Sequence, residues 1–458
     1  MNWIKSFDRK NLTTYLILII LLIINEFVLV KFDPSPPLSD ASLFLIRFLD
    51  IILLCLVLFL RFKNTHNAVI KSSSIFLTFF VLMLFVAEFF VQNLYLSSFE
   101  RDKELGWALS KNFKNDSIKK RADNSSYKVS FSTNNFGLRE FGNNKNYKFK
   151  ILVLGDSFTG GEYASNDQMW YSEMAKELEL LINLPDEFFF IEAGGAGGYG
   201  TYQNLLLAKK LKNKIKNPDL FILQFCSNDF SNNTYEMETG SLIRNQNMVR
   251  PYYDIESDET IYRNGFMAKL YRSKLGSSQI FQRIDSVITN IQFKKKFQKE
   301  SEILNKSEMG TQLKTNGNSF LYFLDEKKRL SLIKKSLITT EKIFFILKDH
   351  FDNIPVLVVN CSGADGYLNY HWVDISTKVG FIPITNPSNF LKGKYEIVAE
   401  DYFFTDDYEK EKILKLFNSD GSHLSDHGNR EYGKILANEI FKNKDLLDKI
   451  STKVNQDK

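Results

Sequence analysis

Four short stretches of this 458-residue chain carry side chains that could perform acyl-transfer chemistry. Gly155-Asp156-Ser157-Phe158 ends an apolar run, FKILVLGDSF (149–158), and precedes a helical pattern. A serine there projects from a sharp turn, with its own N–H near the positive pole of a helix start. The plainer reading is an ordinary strand-to-helix turn with Ser157 as the N-cap. Near the other end, Asp420-Gly421-Ser422-His423 sets an aspartate three residues before a histidine. That spacing lets the carboxylate orient and charge-balance the imidazole within one turn, leaving the other ring nitrogen to take a proton from a serine elsewhere in the fold. The order Ser, Asp, His suits nucleophilic catalysis, because the roles depend on arrangement in space. Acyl transfer also needs donors for an oxyanion. The glycine cluster 194–200 offers backbone that can approach a substrate, and Asn228 offers a side-chain amide.

These residues need a scaffold that brings distant turns to one edge. FKILVLGDSF, DEFFFIEAGG (186–195), DLFILQFCSND (219–229) and NIPVLVVNCSG (353–363) are continuous apolar runs, and helical patterns such as DQMWYSEMAKELELL and KRLSLIKKSLITTEKIFFILKDH lie among them. Apolar strands alternating with amphipathic helices predict an α/β domain of three layers, a parallel sheet covered on both faces. In such sheets the ligand site lies beyond the carboxyl ends of the strands, which here are GDS, the glycines, CSND and NCSG. Residues 230–325 interrupt the alternation. VRPYYDIESDETIYRNG (249–265) predicts a hairpin, and a following helix carries Lys294, Lys295 and Lys296 as a solvated face. The whole stretch reads as an insertion forming a cap or substrate-facing lobe.

Two other chemistries fit parts of the pattern less well. His423 and His427 are four residues apart, like a helical zinc pair, but the glutamate of H-E-x-x-H and a third ligand are missing, so no metal is expected. Gly195, Gly197 and Gly200 spell G-x-G-x-x-G, and Asp219 follows at a suitable distance. Asp219 opens its strand, however, at the wrong edge of the sheet to hold a ribose, and no nicotinamide or other cofactor is expected. Cys226 and Cys361 end strands that would be neighbours; they read as two small buried thiols, since adjacent parallel strands strain a disulfide.

GDSF, the glycine of the second block, the S-N-D of the third and D-x-x-H near the C-terminus resemble, in that order, the SGNH/GDSL hydrolases. The resemblance covers about residues 148–229 and 353–440 and leaves out the insertion and the N-terminal region. It implies Ser157 as nucleophile, His423 as base and Asp420 as its orienting partner. It also implies an oxyanion hole of the Ser157 N–H, the Gly198 N–H (or that of Gly197) and the Asn228 side chain. The sequence departs from the pattern at Cys226, where the third block usually begins with glycine.

The N-terminal region is of another kind. Residues 12–30, 41–60 and 74–96 are each near the length a helix needs to cross a bilayer, and Cys55 lies within the second. Lys5, Arg9 and Lys10 before the first span, and Arg61, Lys63 and Lys71 between the second and third, place the N-terminus inside. Everything after the third span then lies outside the cytoplasm, in a bacterial cell on the periplasmic side of the inner membrane. Residues 1–98 therefore read as an anchor, 97–103 as a tether, and 104–458 as the extracytoplasmic domain. Within the spans, Arg47 could pair with Glu26, Asp50 or Glu88.

The 44% apolar content excludes wholesale disorder, and three cysteines exclude a disulfide framework. A net charge of +5 over this length is no nucleic-acid footprint. The leading expectation is a membrane-anchored serine esterase acting on an acylated cell-surface glycan or lipid-linked substrate, with no nucleic-acid partner. An O-acyltransferase acetylating a cell-surface polysaccharide, alongside partner membrane proteins, would use the same residues. A third reading is a non-catalytic glycan-binding or assembly subunit.

Overall fold

The computed structural model describes residues 98–226, 228–240, 248–273, 324–360, 371–387, 389, 413–419 and 423–455. The chain divides into two units, Met1–Leu96 with Ser278–Arg283 and Ser97–Ser277 with Ile284–Lys458, and the described residues belong to the second. The three expected spans, Cys55, Cys361, Asp420 and the lysines 294–296 lie outside the described residues. No helix among the described residues is long and apolar enough to cross a membrane.

Two hairpins come first: β1 (Phe99–Asp102) pairs with β2 (Gly106–Leu109), and β3 (Lys114–Lys120) with β4 (Ser126–Ser132), both antiparallel. Part of the segment read as a tether is thus strand β1. In β4 every second residue is buried, so Tyr127, Val129 and Phe131 form a small core with Leu109 and Phe113.

The remaining strands are β5 (Arg139–Phe141), β6 (Phe149–Gly155), β7 (Phe189–Gly195), β8 (Leu220–Phe225), the hairpin pair β9 (Pro251–Asp254) and β10 (Glu259–Tyr262), β11 (Val356–Asn360) and β12 (Ile382–Ile384). The helices are α1 (Ser157–Gly160), α2 (Trp170–Ile182), α3 (Thr201–Leu211), α4 (Asp229–Asn233), α5 (Tyr235–Gly240), α6 (Phe266–Arg272), α7 (Glu326–His350), α8 (His371–Val379), α9 (Asp426–Lys442) and α10 (Lys444–Asn455).

Six strands form one sheet in the order β12-β11-β8-β6-β7-β5, parallel except for β5 at the edge. Residues of β6, β7, β8 and β11 are buried throughout, as a sheet covered on both faces requires. Ile151 and Val153 pack into a core with Met174 and Leu178 of α2 and Leu436 and Ile440 of α9. Strand pleating sends Leu152 and Leu154 to the other face, where α3 and α7 lie against one another. The architecture is a mixed α/β domain with a mostly parallel six-stranded sheet. Because β7 lies on one side of β6 and β8 on the other, the crevice of this sheet opens beyond the carboxyl end of β6, just where Ser157 stands.

The hairpin expected within 249–265 is present as β9 and β10. The described part of the expected insertion is tied into the domain. Ser336 of α7 donates to the Phe230 carbonyl at 2.7 Å, and Asn233 donates to Thr340 at 3.1 Å.

Close backbone approach fixes α1 against β7. A Cβ at Gly160 would collide with the Gly195 carbonyl oxygen, and Gly195 itself, at φ +141°, is packed on the Gly155 carbonyl. Gly160→Ala should therefore destabilise the domain by about 1–3 kcal/mol. The expected readout is a thermal midpoint several degrees lower in the full-length protein. An unchanged midpoint would contradict this packing.

Candidate active site

The turn after β6 is built from the backbone outward. Asp156 caps α1, its Oδ1 accepting from the Phe158 N–H at 3.0 Å. The Asp156 N–H donates to Gln224 Oε1 at 2.9 Å, and Thr159 Oγ1 donates to the same oxygen at 3.0 Å. Gln224 lies in β8, so one buried amide fastens the turn carrying Ser157 to the neighbouring strand. Its Nε2 donates to Cys226 Sγ at 3.1 Å, and Cys226 is a buried thiol. Gly155 leaves the room: a Cβ there would stand 2.8 Å from the Gln224 Cβ and overlap the polar atoms of Gln224 and Thr159. Ser157 is consequently the first residue of α1, held at the sheet's carboxyl edge.

His423 Nε2 is 2.8 Å from Ser157 Oγ, across 266 residues of sequence. The segment bearing the histidine is fastened by elements that carry no chemistry of their own. Asn418 N–H donates to the His423 carbonyl at 2.9 Å, and Phe417 bridges to Leu424. The end of the β3–β4 hairpin then binds this segment: Ser419 N–H donates to the Lys120 carbonyl, Ala122 N–H to that of Phe417, and Arg121 pairs bidentately with Asp426 at 2.7 and 2.9 Å. Asp426 thus serves a structural ion pair, whose charge-assisted bond raises the pKa of Arg121. Ser425 caps α9, and Asn429 accepts from the Trp170 N–H at 3.0 Å, locking α9 to α2. Two aromatic rings lie against the imidazole: Tyr163 stacked at 4.2 Å and Phe158 tilted at 5.0 Å.

The glycine loop after β7 meets the same point. A Cβ at Gly197 would come 3.9 Å from Ser157 Cβ, and Gly198 takes a φ of +77° that suits glycine. The Gly197 carbonyl accepts from Trp107 Nε1 at 3.2 Å. That of Gly198 accepts from Arg250 Nη1 at 2.6 Å and Asn232 Nδ2 at 3.1 Å. Asn228 precedes α4 at the end of the adjacent strand, its own carbonyl accepting from the Asn232 N–H at 2.8 Å. It shares the sheet edge with Ser157, although no hydrogen bond between them is formed. Ser157, His423 and the glycine loop are therefore brought together, Asn228 stands at the same edge, and Asp420 lies outside the described residues. Asp219, the rejected ribose-binding residue, is at the amino end of β8 and pairs with Lys453 at 2.7 Å.

Sequence reasoning missed Gln224, Thr159, Arg121, Tyr163 and Arg139. The one available signal was Gln224 itself, a polar residue inside the apolar run LFILQF, which a fully buried strand tolerates only when its amide is hydrogen-bonded.

No protein-family model and no curated protein matches the chain. Among solved structures it is similar to an acetyl xylan esterase (Est2A) from the rumen bacterium Butyrivibrio proteoclasticus, at 11% sequence identity and a TM-score of 0.28. The match covers 69% of this chain and 66% of that one, so the chain spans just under two thirds of the esterase's length.

Two carboxyls near Ser157 are buried, Asp156 just before it and Asp229 at the start of α4. Burial raises Asp156, against the bond from the Phe158 N–H, and raises Asp229 well above the ordinary 3.8. Asp229 Oδ2 accepts from Thr201 at 2.8 Å, joining α4 to α3, while its buried Oδ1 has no hydrogen-bond partner. A carboxyl with a raised native pKa holds its proton more tightly folded than unfolded. Its contribution to stability is thus present in acid and lost as the pH rises from about 4 through the native value. Asp229→Asn keeps an acceptor for Thr201 and removes that loss. The variant should melt above wild type at about pH 8, with the gap closing toward about pH 4. A gap that widens in acid would contradict the assignment.

Proposed function

We propose that the chain is a membrane-anchored, extracytoplasmic serine esterase of the SGNH type, removing acyl groups from a cell-surface glycan or lipid-linked substrate. The observation that carries the reading is the 2.8 Å contact of His423 Nε2 with Ser157 Oγ at a helix start beyond the central strand. In this reading Ser157 Oγ attacks the ester carbonyl carbon and its proton passes to His423 Nε2. The tetrahedral oxyanion is met by the N–H groups of Ser157 and Gly198 and by the Asn228 amide. The Gly197 and Gly198 carbonyls are already taken by Trp107, Arg250 and Asn232, an arrangement that favours N–H groups as the loop's contribution to the site.

Collapse breaks the ester C–O bond, and His423 returns its proton to the departing alkoxide. Water then attacks the acyl-enzyme, gives a proton to His423 and releases the acid, restoring Ser157. Asp420 would orient the imidazole through the ring nitrogen that does not face serine. No cofactor or metal enters these steps. The apolar runs at 12–30, 41–60 and 74–96 and their lysine and arginine bias support anchoring with the domain outside the cytoplasm. An anchored domain favours substrates made or held at the membrane surface.

The test uses full-length protein in detergent, wild type beside Ser157→Ala and Asn228→Ala, with p-nitrophenyl acetate as substrate and a fluorophosphonate as serine label. Ser157→Ala should lose both labelling and at least about 10³-fold in turnover while melting like wild type. Asn228→Ala should label but turn over roughly 10²-fold more slowly. Turnover that survives in Ser157→Ala would overturn the reading. Acetyl transfer to an added glycan, outpacing acetate release, would convert it to an acyltransferase with the same first half-reaction.

A further inference from the structure

We infer that Tyr163 is a positioning residue for the His423 imidazole, and that the buried Arg139 anchors the loop presenting it. The inference rests on the esterase reading. Tyr163 stacks on the imidazole with ring centroids 4.2 Å apart and planes 17° from parallel, while Nε2 of the same imidazole meets Ser157 Oγ. A ring lying flat on the imidazole opposes its rotation about the Cβ–Cγ bond, the motion that would swing Nε2 out of line with the serine. It also presents an electron-rich face to the imidazolium that forms as Ser157 gives up its proton. That attraction is felt by the cation formed in the transition state far more than by the neutral ring that accepts the proton. Its effect therefore falls on kcat rather than on KM.

The loop beneath Tyr163 is held with unusual thoroughness. Arg139 donates from Nη1 to the Gly161 carbonyl at 2.5 Å, from Nη2 to the Ala164 carbonyl at 2.6 Å and from Nε to Asn166 Oδ1 at 3.0 Å. Its guanidinium also lies 4.7 Å from the centre of the Phe131 ring. Tyr127 Oη donates to the carbonyl of Tyr163 itself at 2.7 Å. Arg139 is 0% exposed, makes no ion pair among the described residues, and has its pKa lowered by desolvation. A core built only for stability would be served as well by an apolar side chain. The charge is matched instead to three acceptors of one loop, and that loop carries Tyr163. Gly161 completes the arrangement: a Cβ there would stand 2.7 Å from two carbons of the Tyr163 ring, so glycine lets the ring fold back over α1 toward the histidine.

The experiment takes full-length wild type, Tyr163→Ala, Tyr163→Phe and Tyr127→Phe, with p-nitrophenyl acetate and the fluorophosphonate. Tyr163→Ala should lower kcat by about 3- to 30-fold with KM within about twofold, and slow serine labelling by a similar factor. Tyr163→Phe keeps the ring and should restore kcat to within about twofold of wild type. Tyr127→Phe removes one bond to the loop without disturbing Arg139, and should lower kcat by a few-fold at most. An unchanged kcat in Tyr163→Ala beside an active wild type overturns this inference alone, as does a rise confined to KM, which would make Tyr163 a substrate platform. Wild type that neither turns over nor labels at Ser157 overturns the esterase reading, and this inference with it.

Discussion

The site hangs on one buried amide. Gln224 Oε1 takes both the Asp156 N–H and the Thr159 hydroxyl, so the strand-to-helix turn that carries Ser157 is bonded sideways to β8 as well as along its own chain. The turn would otherwise leave a buried backbone donor unmet, at a penalty of about 1–3 kcal/mol. The same bond sets the direction in which Ser157 leaves the sheet. Much around it follows from making room: Gly155 because Gln224 and Thr159 occupy the space of its side chain, Gly160 because α1 lies on the backbone of β7, and Gly195 because it packs on the Gly155 backbone of β6. Gly155, Gly160 and Gly195 are thus consequences of close packing around the turn that carries Ser157.

The histidine is delivered by a different route. β8 and β6 are sheet neighbours, whereas His423 arrives from a segment secured by the tip of an N-terminal hairpin, through Arg121 and Asp426. Both partners of that bidentate pair are largely shielded from solvent, with side chains 12% and 14% exposed, so the pair escapes most of the screening that weakens surface ion pairs. The geometry of the serine–histidine contact therefore depends on residues near both ends of the domain. The fastening bonds run to the His423 backbone and to Asp426.

That division explains what the sequence made legible. Strands β6, β7, β8 and β11 stand out as unbroken apolar runs because both faces of the sheet are covered, and α7 and the β9–β10 hairpin follow from periodicity and turn residues. Ser157 and His423 were legible through local spacing, because a nucleophile turn and a short Asp–His interval are short-range patterns. The hairpins β1–β4 were not. KNDSIKK of β3 is exposed along its length and has no apolar alternation to betray it, and β5 has three residues. Their value to the fold lies in contacts far along the chain, 305 residues away for Arg121 with Asp426 and 90 for Trp107 with Gly197, which no window along the chain can show. Arg121 and Arg139 look like ordinary surface charges for the same reason; only tertiary structure reveals that one is paired and the other buried.

The two arginines also differ in kind, and the difference bears on how the site is kept in register. Arg121 meets a carboxylate, so its bond is strong but could be replaced by another complementary pair. Arg139 meets two backbone carbonyls, groups present whatever the side chains of the loop happen to be, and the side-chain oxygen of Asn166. Its planar fork matches acceptors of fixed spacing, which a lysine's single ammonium cannot reproduce. Two of the three bonds thus hold the loop through its backbone path. One position on it, Tyr163, is left to face the imidazole, with Tyr127 holding that residue's carbonyl from behind. Strands β4 and β5, the backbone of the loop and the Tyr163 ring form a continuous chain of contacts from the small N-terminal core to the imidazole that faces Ser157.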